Sequence, residues 1–434
     1  MGQGGSRRGA WAPVLAVAAM LLASLGIMAT ARAAALKADF ELGGQWKVNS
    51  TARMMAGLPP MYPGHSAFAQ SDVWKEHSAA MQSGWAALRA GRVNSMAAWR
   101  DSEISRSCPV GKTLLYPFSG PDFFNAYWLF PDCETYVMFG LEHIGEIPDI
   151  EGLSERDFAR LMSDVRTATS DLFNRNYFIT ENMTRQLYTS QLRGVLPLLM
   201  ISMALSGAEI LRMTPQVLEK GALGMVQASA DSVDGVDPAR PPEAAPKMVS
   251  LRKPRGIAID FRTADSPVTR RLIYFTVDAT DSSLRRYPEF AAFLRKFAPT
   301  TTLLKSASYL LHSREFSYLR RTLLDVSQFL VQDDSGLPYR QLVAQGFQMR
   351  LHGTYAVPIP PFERAFQPTL QAAYQSQKAL PLPFSFGYNF SDQRDERAMI
   401  MVGQKQPNAA GLVKVANAGA PRLAKGRPLH PVGH

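Results

Sequence analysis

The chain has 434 residues, of which 46% are hydrophobic, and a formal net charge of +10. This composition is typical of a globular protein with a large core and excludes a mainly disordered chain. The charge does not indicate nucleic-acid binding. Three cations precede residue 34 and five lie in residues 404–434 without an acid, so the body of the chain carries only about +2.

The first 33 residues have the pattern of a secretory signal peptide. Arg7 and Arg8 precede an apolar run at 11–28, and small residues follow it up to Ala33. This order predicts cleavage after Ala33 and export to the periplasm or out of the cell. A retained membrane anchor is the alternative. With the signal removed, we expect no integral membrane segment.

Residues 34–110 are predicted to form a helical region that packs on the main domain. Large apolar side chains recur there at helical intervals, and we expect them in the core rather than in a ligand site: Trp74, Met81, Trp85, Leu88, Met96 and Trp99.

Residues 112–142 combine two strand patterns with a helix pattern. "TLLYPF" and "TYVMFGL" are short apolar runs, and "PDFFNAYWLF" between them has helical spacing. Two strands joined by a helix are expected to be parallel neighbours. Cys108 and Cys133 each precede one of these strands, so the same geometry brings them within disulfide distance. A disulfide is expected in an oxidising compartment, and a buried free pair is the alternative.

Ser119, in the loop after the first of these strands, has three interpretations. A nucleophile elbow would need glycines where Pro117 and Pro121 stand, and a dinucleotide fingerprint would need more glycines than Gly120. A helix cap fits best, with Asp122 completing a short capping box and Phe118 packing on the first helical residue.

Downstream, residues 154–173 are predicted to form an amphipathic helix that begins with a capping box, and 195–211 a buried helix. Residues 228–248 indicate a flexible excursion. Two strands around a turn follow at 256–280, then a helix through 301–325. "SQFLVQDDSGLPY", "FQMRLHGTYAVPI" and "PFSFGYNF" are predicted as later strands. The α/β domain therefore spans 111–403, and residues 404–434 form a disordered basic tail.

The strand, the turn with Gly120, the helix and the second strand ending at Glu142 resemble the first βαβ unit of Rossmann-like methyltransferases. The resemblance implies that Gly120 would approach a cofactor and that Glu142 would hold ribose hydroxyls. "YPFSGPDF" and "VQDDSGLPY" also resemble segments of uncharacterised exported bacterial proteins, which implies no activity. The predicted fold is α/β: a Rossmann-like, mostly parallel sheet with helices on both faces and a C-terminal antiparallel segment.

Ligands bind beyond the carboxyl ends of parallel strands, so this fold predicts where a site would lie. The residues expected there are Ser119, Gly120, Asp122, Glu142, His143, Asp278, Asp281, Asp333, Asp334 and Ser335. Such a cluster can bind a polyhydroxyl ligand or a cation, or raise the pKa of one carboxyl group. The alternative is that Asp281 caps a helix and "DDSG" forms a turn. Gly145 and Pro148 argue against a metal-binding helix at His143, and we predict no metal site and no cofactor.

Two classes of function remain. The first is a non-catalytic exported protein that binds an unknown small molecule or envelope component through Ser119, Gly120, Asp122, Glu142, Asp278 and Asp334. The second is a hydrolase or transferase that uses carboxylates such as Asp122, Asp333 or Asp334. An enzyme requires these carboxylates to converge on one pocket, whereas carboxylates that serve as caps would argue against it.

Overall fold

A computed structural model describes residues 45–105, 108–175, 189, 192–219, 222–225, 254–358, 360–387 and 398–406. The predicted signal peptide, the excursion at 228–248 and residues 407–434 of the predicted tail lie outside these ranges.

Within the described ranges, ten strands form one mixed sheet. They are β1 Thr113–Pro117, β2 Thr135–Gly140, β3 Ala208–Glu219, β4 Ala222–Met225, β5 Arg255–Thr263, β6 Ser266–Thr276, β7 Thr300–Leu304, β8 Ser327–Gln332, β9 Phe347–Gly353 and β10 Met399–Lys405. Their order is β4-β3-β5-β6-β2-β1-β7-β8-β10-β9. The centre, from β6 to β8, is parallel, and antiparallel strands extend both sides. The predicted α/β class and its C-terminal antiparallel segment are confirmed.

The βαβ unit between the cysteines is also confirmed. β1 and β2 are parallel neighbours, with Thr113 opposite Thr135 and Pro117 opposite Phe139. Cys108 and Cys133 form a disulfide, and their Cα atoms are 4.8 Å apart. Because both cysteines precede a strand, the parallel register brings them to the same end of the sheet.

Both faces of the parallel centre are buried. Successive residues of β1 alternate between two hydrophobic clusters, with Leu114 and Tyr116 in the first and Leu115 in the second. Helices from 45–103, 155–175 and 196–205 supply the first cluster, and helices from 281–295 and 317–326 supply the second. Side chains alternate along a strand, so a sheet covered on both faces requires apolar residues at consecutive positions.

The α-helices span 45–55, Ser66–Gln70, Asp72–Leu88, Asn94–Glu103, Phe123–Leu129, Glu155–Arg175, Leu196–Leu205, Asp281–Arg286, Pro288–Arg295, Ser317–Val326, Tyr339–Ala344 and Pro368–Ser376. A π-helical turn, Arg89–Val93, joins two of them. The Ser154 half of the predicted capping box is present: the Asp157 amide donates to Ser154 Oγ at 3.2 Å, and that hydroxyl donates to the Asp157 carboxylate at 2.8 Å. In the described part of the chain, no helix combines the length and apolar character that a bilayer crossing requires.

Several element predictions were wrong. A helix was predicted through 301–325, but the first residues of this range belong to strand β7. Two short 3-10 helices follow, Ser306–His312 and Arg314–Phe316, and the α-helix begins only at Ser317. The helix predicted through 211 ends at Leu205, because Gly207 turns left-handed at φ 72° and β3 begins. Residues 383–387 do not form the predicted strand, and β10, which includes the first two residues of the predicted tail, was missed.

Candidate functional site

The sheet reverses its winding between β1 and β7. The chain leaves β1 through helix Phe123–Leu129, which packs in the first hydrophobic cluster, and leaves β7 towards helix Ser317–Val326, which packs in the second. The connections of these neighbouring strands therefore diverge to opposite faces. In an open α/β sheet this switch point is the place where a ligand-binding crevice forms.

Both loops at the switch point contain a left-handed non-glycine residue. Phe118 has φ 53° and Ser306 has φ 58°. Such backbone costs about 1–3 kcal/mol for an ordinary residue and persists only where surrounding contacts hold it. Phe118 is held between Phe139 and Phe316, with ring centroids 6.0 and 5.7 Å away. Phe118 therefore packs on the face of the sheet that carries the second hydrophobic cluster. The prediction that it packs on Phe123 was wrong.

Asp122, not Ser119, caps helix Phe123–Leu129. The Asn125 amide donates to Asp122 Oδ1 at 3.1 Å, whereas the Ser119 hydroxyl donates to the Gly120 carbonyl at 3.1 Å. The prediction of Ser119 as the cap was wrong by three positions, because the loop makes an additional turn at Gly120, whose φ is 50°.

Asp122 is also the centre of a buried polar network that bridges β1 and β7. Its carboxylate accepts from Tyr116 Oη at 2.9 Å and from Asn125 Nδ2 at 2.9 and 3.0 Å. Lys305, directly after β7, places Nζ 3.3 Å from Asp122 Oδ2. The two side chains of this ion pair are only 5% and 1% exposed. Sequence analysis missed Lys305 because it placed this residue within a helix.

Burial dominates the electrostatics of this network. It lowers the pKa of Lys305, and the charges of Asp122 and Asp333 offset only part of that effect. It likewise raises the pKa of Tyr116, so the phenol stays a hydrogen-bond donor to Asp122. A low-dielectric environment strengthens each hydrogen bond and increases the cost of leaving any group unpaired.

Asp333 joins the loops after β7 and β8. Its carboxylate accepts from the Ser306 amide at 2.8 Å, from the Ser335 amide at 3.0 Å and from the Ser335 hydroxyl. Burial raises the pKa of Asp333, and these donors offset part of the rise. Residues 386 and 387 cover this corner. The Phe386 ring centroid lies 5.7 Å from Lys305 Nζ, and a Cβ on Gly387 would lie 2.7 Å from Asp333 Oδ2.

Asp334 points to a different partner. Its carboxylate accepts from Tyr309 Oη at 2.7 Å, and its carbonyl accepts from Gln367 Nε2 at 2.9 Å. Asp334 therefore hydrogen-bonds both to the 3-10 helix Ser306–His312, through Tyr309, and to the C-terminal segment, through Gln367.

Glu142 folds back towards the loop after β1. A Cβ on Gly140 would lie 2.4 Å from Glu142 Oε2 and 3.5 Å from the Gly120 amide nitrogen, so this glycine makes room for the carboxyl group. Burial raises the pKa of Glu142, and hydrogen bonds from backbone amides and Tyr274 oppose the rise. The two positions singled out by resemblance, Gly120 and Glu142, thus lie close together at neighbouring strand ends.

The remaining predicted residues do not join the network around Asp122. Asp278 accepts from the Thr280 amide at 2.9 Å within its own turn. The Asp281 carboxylate accepts hydrogen bonds from the Ser317 hydroxyl at 2.5 Å and from the Tyr318 amide at 2.8 Å. It therefore caps the N-terminal end of helix Ser317–Val326. His143 lies in a segment without a helix. Within the described ranges, no three His, Cys, Asp or Glu side chains are grouped to hold a metal ion.

In the described segments that follow β1 and β7, some buried polar atoms have no hydrogen-bond partner. They are Asn125 Oδ1, after β1, and the hydroxyls of Ser306 and Ser308, after β7. Buried polar atoms are nearly always hydrogen-bonded, so each of these exceptions is a group that can accept a further hydrogen-bonding partner. No sequence pattern marks them, because they follow from the packing of distant segments.

Comparison with protein-family models, curated proteins and solved structures finds no match to this chain. The interpretation of the site therefore depends on its own geometry.

Proposed function

We propose that this chain is an exported, non-catalytic protein that binds a small polar molecule at the switch point between β1 and β7. The observation that carries the proposal is the set of unpartnered buried atoms on both sides of that point: Asn125 Oδ1, Ser306 Oγ and Ser308 Oγ. A polar ligand between the two loops would supply the missing donors and acceptors.

The use of the carboxylates favours binding over catalysis. Asp122 is held as a helix cap and ion-pair partner, Asp333 by two loop amides and a hydroxyl, and Asp334 by Tyr309. A general acid or base must reach a substrate proton directly or through one water. Carboxylates committed to internal donors are poorly suited to that task.

Export is supported by the disulfide and by the N-terminal sequence. A disulfide between Cys108 and Cys133 is stable in an oxidising compartment, and the basic, apolar and small-residue order of the first 33 residues is that of a secretory signal.

A transferase with a methyltransferase-like fold is the second candidate. One observation favours it: Glu142 Oε2 lies beside the loop that contains Gly120, as an acid that contacts ribose hydroxyls would. Burial disfavours the charged form of Glu142 and so raises its pKa, which weakens this candidate, because the charged carboxylate is the stronger acceptor of hydroxyl protons.

The proposal is tested by changing the unpartnered hydroxyls. Ser306→Ala and Ser308→Ala remove groups that make no hydrogen bond, so we expect the free protein to keep its melting temperature. Thermal shift against nucleosides, sugars and polyols should reveal a stabilising compound for the wild type, with a smaller shift for these variants. Ser78→Ala is the matched control, because that buried hydroxyl donates to the Gly57 carbonyl at 2.7 Å, far along the chain from both loops.

The control should lower the melting temperature of the free protein and keep the full ligand-induced shift. A panel without any stabilising compound, or equal shifts in all variants, would reject the proposed site. A shift specific to nucleosides that Glu142→Gln abolishes would favour the transferase instead.

A further inference from the structure

The N-terminal helical region contributes a buried cation to the same part of the molecule. Arg92 lies in the π-helical turn Arg89–Val93, between helices Asp72–Leu88 and Asn94–Glu103, and is only 7% exposed. Its Nη2 donates to the Leu172 carbonyl at 3.1 Å. Its buried Nε has no acceptor, and in the part of the chain that the structure describes no carboxylate lies within 4.0 Å of the guanidinium.

An unpaired buried guanidinium is an unusual feature. The group carries five N–H donors and a permanent charge, and buried charges in proteins are normally paired. Burial lowers the pKa of Arg92 to about 9, with partial compensation from the charge of Asp122. The side chain is therefore still cationic at neutral pH, without an anion in contact.

The segment that carries Arg92 packs on the same face of the sheet as helix Phe123–Leu129, since Val93 and Phe124 belong to one hydrophobic cluster. Arg100, two helical turns further along the chain, donates to the Trp128 carbonyl at 2.8 Å, at the C-terminal end of helix Phe123–Leu129. Arg92 interacts electrostatically with Asp122, which caps the opposite end of that helix, and with Lys305. The charge of Arg92 therefore acts on the end of the helix at which Asn125 Oδ1 lacks a partner.

A purely structural role explains only part of this arrangement. Arg92 Nη2 anchors the π-helical turn to helix Glu155–Arg175 through the Leu172 carbonyl. That interaction uses one donor and leaves Nε buried and unsatisfied. π-helical turns are also frequent at functional sites, and this one sets the position of Arg92.

We propose that Arg92 binds an oxyanion, a carboxylate or phosphate group, of the ligand at the switch point. The inference rests on the proposed binding function and adds the chemical class of the ligand. An oxyanion would accept from Nε and a neighbouring guanidinium nitrogen together, which is the preferred geometry for arginine. Lys305 is unsuited to the role, because Asp122 already contacts its ammonium group.

The test compares Arg92→Met with Arg100→Met in the full exported chain. Both arginines are buried, but Arg100 is paired with Asp101 and with the Trp128 carbonyl. Melting temperatures are measured with inorganic phosphate, with malonate, with sodium chloride at equal ionic strength and with glycerol. Phosphate and malonate distinguish the two oxyanions, and the other two compounds control for salt and polyol effects.

We expect phosphate or malonate to stabilise the wild type and Arg100→Met more than chloride does. In Arg92→Met the apparent affinity for that anion should fall roughly tenfold or more, the usual cost of losing a charged hydrogen-bonding partner. Arg92→Lys keeps the charge without the planar fork and should show an intermediate loss. Without anions, Arg92→Met should melt no lower than the wild type, whereas Arg100→Met should melt lower.

The inference is overturned if neither anion stabilises the wild type beyond chloride, or if the anion effect persists in Arg92→Met. If a neutral compound still stabilises the protein and the Ser306→Ala and Ser308→Ala variants reduce that effect, the proposed binding function stands and only the role of Arg92 is rejected. If neither anions nor neutral compounds bind, both are rejected.

Discussion

Two carboxylates of this protein, Asp122 and Asp260, are paired with cations in contrasting environments. Asp122 and Lys305 are 5% and 1% exposed, and the Phe386 ring centroid lies 5.7 Å from the ammonium group. Asp260 lies on the antiparallel extension, where it accepts from Arg212 and Arg271 at 2.6–3.1 Å. These arginines are 66% and 44% exposed. The Asp260 side chain is itself only 11% exposed, so the contrast lies in the cations: water reaches the arginine partners of Asp260 but not Lys305.

The largest expected effect is that of Asp122→Ala. It leaves Lys305 buried without its ion-pair partner, and removes the helix cap and the acceptor for Tyr116. Breaking one side of a buried pair costs about 3–5 kcal/mol, and urea unfolding of the full chain should show a loss in that range. A loss below about 1 kcal/mol would mean that water enters the network as readily as it reaches an exposed pair.

Lys305→Met should lower the free energy of unfolding by about half as much as Asp122→Ala. Asp122 keeps three hydrogen-bond donors from Tyr116 and Asn125, and the Met side chain keeps much of the buried volume. The double variant with Asp122→Ala should be clearly less destabilised than the sum of the two single variants. Additive losses would show that the two groups do not depend on each other.

Asp260→Asn should change the free energy of unfolding least of the three substitutions, and the size of this change should depend on pH. Burial alone would raise the pKa of Asp260, but hydrogen bonds from Arg271 and Arg212 outweigh it and hold the pKa below 3.8. A depressed carboxyl pKa adds stability above the unfolded-state value, and this stability is lost as the pH falls through the folded-state pKa.

Because the arginines are well exposed, we expect Asp260→Asn to cost about 1 kcal/mol or less at neutral pH. Urea unfolding should show the difference from the wild type shrinking as the pH falls below 3.8. A difference that is constant through this range would mean that the ionised carboxylate contributes nothing specific.

Local patterns predicted the centre of the fold but only part of the site. The βαβ unit between Cys108 and Cys133 was predictable because its strands, helix and disulfide each have a short-range sequence signal. β7 was not, because the apolar spacing of 301–325 also fits a helix, and only pairing with β1 and β8 decides between them. Lys305 was missed for the same reason.

The roles of individual polar residues were still harder to predict. Ser119 and Asp122 are both good capping residues, and the left-handed turn at Gly120 decides in favour of Asp122. The unpartnered atoms of Asn125, Ser306 and Arg92 are products of tertiary packing, because elements far apart in sequence enclose them.

Native mass spectrometry of the full chain, purified without refolding, tests the central claim most directly. We predict a non-covalently bound small molecule on the wild type and on Ser78→Ala, with reduced occupancy on Ser306→Ala and Ser308→Ala. The proposed ligand site between β1 and β7 would be contradicted by two results together: the wild-type chain carries no bound species, and no compound of the thermal-shift panel binds to it.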